Sequence, residues 1–187
     1  MPYGTDFTAV VPAGTRATSG ATLEKEMRFA FSTPRPTLQR ALPGNYSEQA
    51  RPDTAVAFEF NQRVAASDLL QRLTWGGVGV KDLEVVARSA WPKLPDVGAG
   101  VVTWDPERTI VLRPRQPLPR ATWQRLAIGA GLKGEGPRRS VQAAHHQFST
   151  YRQLRVDEIR CGDTWRCNPA HGFTVRFNNP LKLSAGE

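Results

Sequence analysis

Cysteine, histidine and lysine are scarce in this chain of 187 residues: two, three and five of them, beside twenty arginines. No apolar run approaches the ~18 residues a membrane-spanning helix needs. The opening residues, Met1-Pro2-Tyr3-Gly4-Thr5-Asp6-Phe7, have neither the basic nor the apolar stretch of a signal peptide. So few histidines leave little for a metal centre. His145 and His146 are adjacent, and neighbouring side chains on a strand point to opposite faces, so the pair is badly placed to hold one ion. His171 stands alone apart from the cysteines near it.

Catalytic patterns are missing too. There is no Gly-x-Ser-x-Gly elbow and no Walker loop. Gly76-Gly77-Val78-Gly79 lacks the Lys-Ser/Thr and helix start that a phosphate loop requires, and reads as a flexible sheet connection. Asp53, Asp96 and Asp105 each sit beside a proline, which suits turns. A calcium site between modules would need an acidic cluster near Thr150–Asp157, and Asp157-Glu158 is the only acidic pair there. We expect no catalytic, cofactor-binding or metal-binding residues, no cofactor, and no enzymatic activity. The net charge is +8, but the arginines are scattered and only Arg138-Arg139 are adjacent. No basic run is interleaved with aromatics, which argues against a nucleic-acid partner.

What the sequence does contain is a repeat. Val56-Ala57-Phe58-Glu59-Phe60-Asn61-Gln62-Arg63-Val64 alternates in the manner of a half-buried strand. It returns as Phe173-Thr174-Val175-Arg176-Phe177-Asn178-Asn179-Pro180-Leu181, 117 residues later. At the same shift Pro52 falls on Pro169, Phe31-Ser32-Thr33 on Phe148-Ser149-Thr150, and Ala13-Gly14 on Ala130-Gly131. Four separated matches at one period indicate a tandem module the size of a small domain. The expected organisation is the closing strands of a preceding β-sandwich domain over 1–34, a complete Ig-like β-sandwich domain over 35–151, and the opening strands of a following one over 152–187. We read the chain as a piece of a longer array. Each half-module exposes strand edges and invites pairing, and 1–34 is expected to pack with 152–187, within one chain or between two.

The fold class expected is all-β: an antiparallel Ig-like, macroglobulin-like β-sandwich, one complete copy plus two partial ones. Strands of about five residues recur at roughly ten-residue spacing, and no long amphipathic helices alternate with them. Phe58, Phe60, Ile110, Leu112, Leu126, Ile128 and Phe148 are the expected core. Val64–Leu73 contains a short helical turn, with Ser67 or Asp68 as its N-cap. Trp91–Gly100 reads as a long loop. Trp75, Trp91, Trp104 and Trp123 read as packing residues; a carbohydrate-binding module would instead need exposed, coplanar aromatics.

Cys161 and Cys167 are separated by five residues, Gly-Asp-Thr-Trp-Arg. A disulfide closing a short loop is geometrically reasonable and would imply an oxidising compartment; two reduced thiols are the rival. At the 117-residue shift the pair falls on Gly44 and Ala50, so it decorates one repeat only.

Several stretches resemble the N-terminal macroglobulin-like domains of the bacterial α2-macroglobulin family. Phe29-Ala30-Phe31-Ser32-Thr33-Pro34-Arg35-Pro36 is similar to an inter-domain junction of that family, as is Arg51–Val64. Arg113-Pro114-Arg115-Gln116-Pro117-Leu118-Pro119 resembles the connector of its Ig-like domains, and Cys161 to Leu181 the opening of a next domain. The resemblance implies a broad-spectrum protease trap in the periplasm, held to the inner membrane by a lipid outside this piece. Its partners would be neighbouring domains of the parent chain and, through the parent, target proteases. The family's Cys-x-Glu-Gln thioester motif is absent: Cys161 is followed by Gly-Asp-Thr and Cys167 by Asn-Pro-Ala. The chain would then be non-catalytic scaffold. A repeat of a cell-surface adhesin, built from the same sandwich, is the alternative.

Overall fold

The computed structural model describes residues 1–161, 172–179 and 181. Along them run β1 (Asp6–Val11), β2 (Met27–Ser32), β3 (Leu38–Leu42), β4 (Val56–Phe60), helix α1 (Ala66–Arg72), β5 (Leu73–Trp75), β6 (Leu83–Val85), helix α2 (Gly98–Val101), β7 (Thr109–Pro114), β8 (Trp123–Ile128), β9 (Ala144–Ser149), β10 (Val156–Cys161) and β11 (Phe173–Phe177). The fold is an all-β antiparallel sandwich. One layer has the order β3-β4-β7-β6 and the other β5-β8-β9. The hairpins β1-β2 and β10-β11 form separate two-stranded sheets.

The seven residues expected in the core are all buried. Phe58, Phe60 and Leu112 from one layer meet Leu126, Ile128 and Phe148 from the other, with Trp75 edge-on to Phe148. Buried indole groups need hydrogen-bond partners, and Trp75 Nε1 donates to Gln124 Oε1 at 3.0 Å.

β4 departs from its reading as a half-buried strand, because every one of its residues is buried. Its alternation is one of large against small. Val56, Phe58 and Phe60 face the sandwich, whereas Ala55 and Ala57 lie with Val111 against a second core of Trp91, Leu94, Val97 and Val101. That second core is roofed by residues 88–101, of which Trp91–Gly100 is expected from sequence to be a long loop. They form a 3-10 turn (Arg88–Lys93) and α2 instead. Small alanines on the sheet leave room for Trp91, whose Nε1 donates to the Val86 carbonyl at 3.1 Å. Glu59 stays in this setting because Arg40 Nε donates to it at 2.5 Å and the Asp105 N–H at 3.1 Å. Arg40 in turn lies 4.5 Å from the centroid of the Trp104 ring.

Helix α1 is capped by Ala65 with no side-chain bond, so neither Ser67 nor Asp68 is the N-cap. Asp68 lies within the first turn, where it accepts from the Lys133 N–H at 2.7 Å and pairs with Arg72. Directly after the helix comes β5, which pairs with β8 from Leu73↔Ile128 to Trp75↔Leu126.

The repeat is visible strand for strand. β1 and β2 lie 117 residues before β8 and β9, and both hairpins have the same register: Asp6↔Ser32 becomes Trp123↔Ser149. β3-β4 and β10-β11 also match, down to a bulge at Leu38/Arg40 and at Val156/Glu158. Here β11 keeps the 117-residue shift from β4, while β10 lies 118 residues after β3. The second copy therefore has one more residue in the linker before β10 and one fewer in the loop after it. Cys161 thus corresponds to Pro43, not to Gly44.

Candidate functional site

The feature built twice is the joint between modules. Thr33 closes the first. Its Oγ1 receives the Thr5 N–H at 2.9 Å and donates to the Pro2 carbonyl at 2.7 Å. Thr150 does the same with the Thr122 N–H at 3.3 Å and the Pro119 carbonyl at 2.6 Å. The turn feeding each hairpin takes a positive φ at equivalent residues, Gly4 (56°) and Ala121 (54°).

The linker beyond each threonine is clipped to the end of a strand in the next module. In the first joint, Asn61 Oδ1 accepts the Thr37 N–H at 2.9 Å and Nδ2 donates to the Arg35 carbonyl at 2.8 Å. In the second, Asn178 Oδ1 accepts the Arg155 N–H at 2.8 Å and Nδ2 donates to the Gln153 carbonyl at 2.9 Å. The neighbouring amide adds a further bond in each case, Gln62 Nε2 to the Pro34 carbonyl and Asn179 Nδ2 to the Arg152 carbonyl. Extended linker backbone has no ladder of its own, so a side-chain amide that offers both a donor and an acceptor is the economical way to satisfy it.

Contacts across the joints add to the clips. At the first, Arg138 pairs with Asp6. Gly136 packs against the Tyr3 carbonyl so closely that a side chain there would collide with it. At the second, Gln49, Glu48, Arg152, Arg155, Asp157 and Asn178 line an open polar cleft. Asp157 pairs with Arg155, and Glu158 with Arg160 and Arg176. The one acidic pair of this junction is thus occupied by arginines.

The remaining candidates are dispersed. Among the described residues no group of three or more His, Cys, Asp or Glu could hold a metal. His145 is exposed, whereas His146 is buried and its Nε2 donates to the Pro43 carbonyl at 2.9 Å. Burial pushes the His146 imidazole below its ordinary pKa, against the opposing pull of that hydrogen bond. Gly77 takes a positive φ in a turn closed by the Val78 N–H on the Trp75 carbonyl, and the glycine stretch joins β5 to a 3-10 turn. Arg51, through its hydrogen bond and charge, holds the Asp53 carboxyl below the usual range. Asp96 accepts the Arg51 N–H at 2.6 Å, and Asp105 is held low by the Glu107 N–H and then by Arg108. Trp75, Trp91 and Trp104 are buried, which removes the carbohydrate-binding reading; Trp123 is part-exposed and meets Tyr46 edge-on. Cys161 ends β10 opposite Phe173, while Cys167 and His171 lie outside the described residues.

No protein-family model matches the chain, and no curated protein matches it. Among solved structures it is similar to an L,D-transpeptidase from Mycobacterium smegmatis, with 11% identity and a TM-score of 0.40. The alignment covers 65% of this chain and 41% of that one, so the chain spans less than half of that structure's length. At that similarity nothing of the relative's activity carries over.

Asn61 and Asn178 were within reach of sequence reasoning. Both sit in the repeated phrase at one shift, although their neighbours Glu59 and Arg176 differ in charge. An amide retained directly after the strand signals a backbone clip.

Proposed function

We propose that this chain is a non-catalytic scaffold, a run of Ig-like modules from a bacterial protease trap of the α2-macroglobulin kind. The observation that supports the reading is the joint. Two successive linkers are fastened by the same asparagine clip, and the first is further pinned by the Arg138–Asp6 pair. A linker tied by several hydrogen bonds holds modules at a set angle, as a large trap requires of the frame around its working parts. A free linker would let them tumble.

On this reading the parent is periplasmic and inner-membrane-anchored, and Cys161 and Cys167 form a disulfide suited to that compartment. Its partners are neighbouring modules and, through the parent, the captured protease. A repeat of a surface adhesin is the competing reading.

The natural protein carrying this chain, mixed with an endopeptidase, should abolish cleavage of a large protein substrate while leaving cleavage of a small peptide substrate intact. A physically enclosed protease gives that split. Unchanged cleavage of both substrates would remove the trap and favour the adhesin.

A further inference from the structure

The repeat separates what the fold needs from what it does not. On the outer face of β8 and β9 stand Arg125, His145 and Gln147, and the first module has Thr8, Arg28 and Ala30 at those positions. In the complete module a cleft of about 190 Å³ opens over this face, with Asn45 and Tyr46, from the chain running beside β9, as its other wall. At the first joint the following module reaches Asp6 through Arg138 but leaves Thr8, Arg28 and Ala30 exposed. The cleft is therefore not a surface that a following module closes.

Tyr46 is the unusual part. Its φ is 64°, a value that bulky side chains rarely adopt. Hydrogen bonds hold it there: its N–H donates to the Gln147 carbonyl at 2.7 Å, the Gln147 N–H to Asn45 Oδ1 at 3.0 Å, and the Ser47 N–H to the Gly44 carbonyl at 3.0 Å. The ring gains little packing, since Tyr46 is 64% exposed and meets only the edge of Trp123. Glycine takes that φ without steric cost, so the exposed ring serves something other than the turn.

The chemistry of the cleft is one-sided. None of its lining residues is acidic, and Arg125 has no ion-pair partner among the described residues. The Gln147 amide is unbonded and offers a donor and an acceptor, and Asn45 keeps its Nδ2 as a donor. Side-chain amides on extended backbone already hold the linkers of this chain, at Asn61 and Asn178. The Tyr46 and Trp123 rings stand at 70°, a corner for a side chain and not a platform for a sugar.

We propose that this cleft binds an extended acidic peptide of a partner protein. A Glu or Asp carboxylate of the peptide lies on the Arg125 guanidinium, its backbone on the Gln147 and Asn45 amides, and a neighbouring apolar side chain against Tyr46.

Amide proton–nitrogen correlation spectra of the whole chain, titrated with a capped Ala-Val-Glu-Val-Ala peptide, test this. The signals of Tyr46, Arg125 and Gln147 should shift, with half-saturation at about 1 mM or below. The same peptide with Gln in place of Glu should bind about tenfold more weakly, and Arg125→Gln should remove that difference. Tyr46→Gly should weaken binding several-fold yet leave the melting temperature within about 3 °C of wild type, because relief of the backbone offsets glycine's greater freedom when unfolded. No shift at these residues, an equal response to the two peptides, or a Tyr46→Gly chain that loses stability would overturn the proposal. So would acetate shifting the same signals as strongly at equal concentration, which means an adventitious ion only, or glucuronate shifting them where the peptide does not.

Discussion

Asn61 and Asn178 make the same pair of side-chain bonds to the linkers that precede them, at 2.8 to 2.9 Å, in two modules of one chain. The bonded linker residues are Arg35 and Thr37 in the first joint and Gln153 and Arg155 in the second. The residues at equivalent positions, Arg35 and Gln153, then Thr37 and Arg155, differ in each case, so the geometry resides in the asparagine and the backbone. Replacing Asn61 with alanine removes both bonds, at a cost of about 1–2 kcal/mol. Chemical denaturation should show that loss, and small-angle scattering should show a broader spread of angles between the β1-β2 hairpin and the sandwich.

Core and hairpin positions related by the repeat should answer differently to one substitution. Phe148 is fully buried against Trp75, and truncation to alanine should cost about 3–5 kcal/mol. Phe31, its counterpart, is 43% exposed. Phe31→Ala should leave the denaturation midpoint of the central sandwich within about 0.5 kcal/mol of wild type when chains are kept dilute.

His146 should make stability depend on pH near neutrality. Its folded pKa is lowered, so the unfolded chain takes up the proton first. The stabilisation is fully present above about pH 6.5 and is lost as the pH falls. His146→Gln should flatten thermal stability between about pH 7 and 5.

Glu59 acts in a lower window. Burial raises its pKa, but the hydrogen bonds from Arg40 and the Asp105 N–H outweigh that, and the net shift is downward. Its contribution is complete above the ordinary glutamate value of 4.5 and disappears as the pH drops through the lowered one. Glu59→Ala leaves the Asp105 N–H and Arg40 unpaired and should cost about 1–3 kcal/mol, read by urea denaturation at pH 7.

The cysteine pair is checked by mass. The unreduced chain should be lighter than the reduced one by two hydrogens, and equal masses would remove the Cys161–Cys167 bond.

Much of the sandwich was legible because its signals are local. Trp123–Ile128 reads as a strand from its own alternation and forms one over those residues. The cap over 88–101 was not legible. Pro92, Pro95, Gly98 and Gly100 punctuate it like a loop, and only the flat alanine surface at Ala55 and Ala57 explains why Trp91 and Val97 bury there. The one-residue slip of β10 was hidden for another reason. The sequence match is anchored on β4 and β11, and β3 and β10 share almost no residues that would reveal a change of shift. The joint was half legible: Thr33 and Thr150 stood in the repeat, but their bonds become apparent only once Thr5 and Thr122 are placed beside them.

The most direct measurement is a set of cross-strand nuclear Overhauser contacts on the whole chain. The repeat predicts Phe7 opposite Phe31 and Ala9 opposite Phe29, matched by Gln124 opposite Phe148 and Leu126 opposite His146. A β1-β2 hairpin in any other register, or Phe58 and Val175 in unlike strand surroundings, would contradict a recurring module.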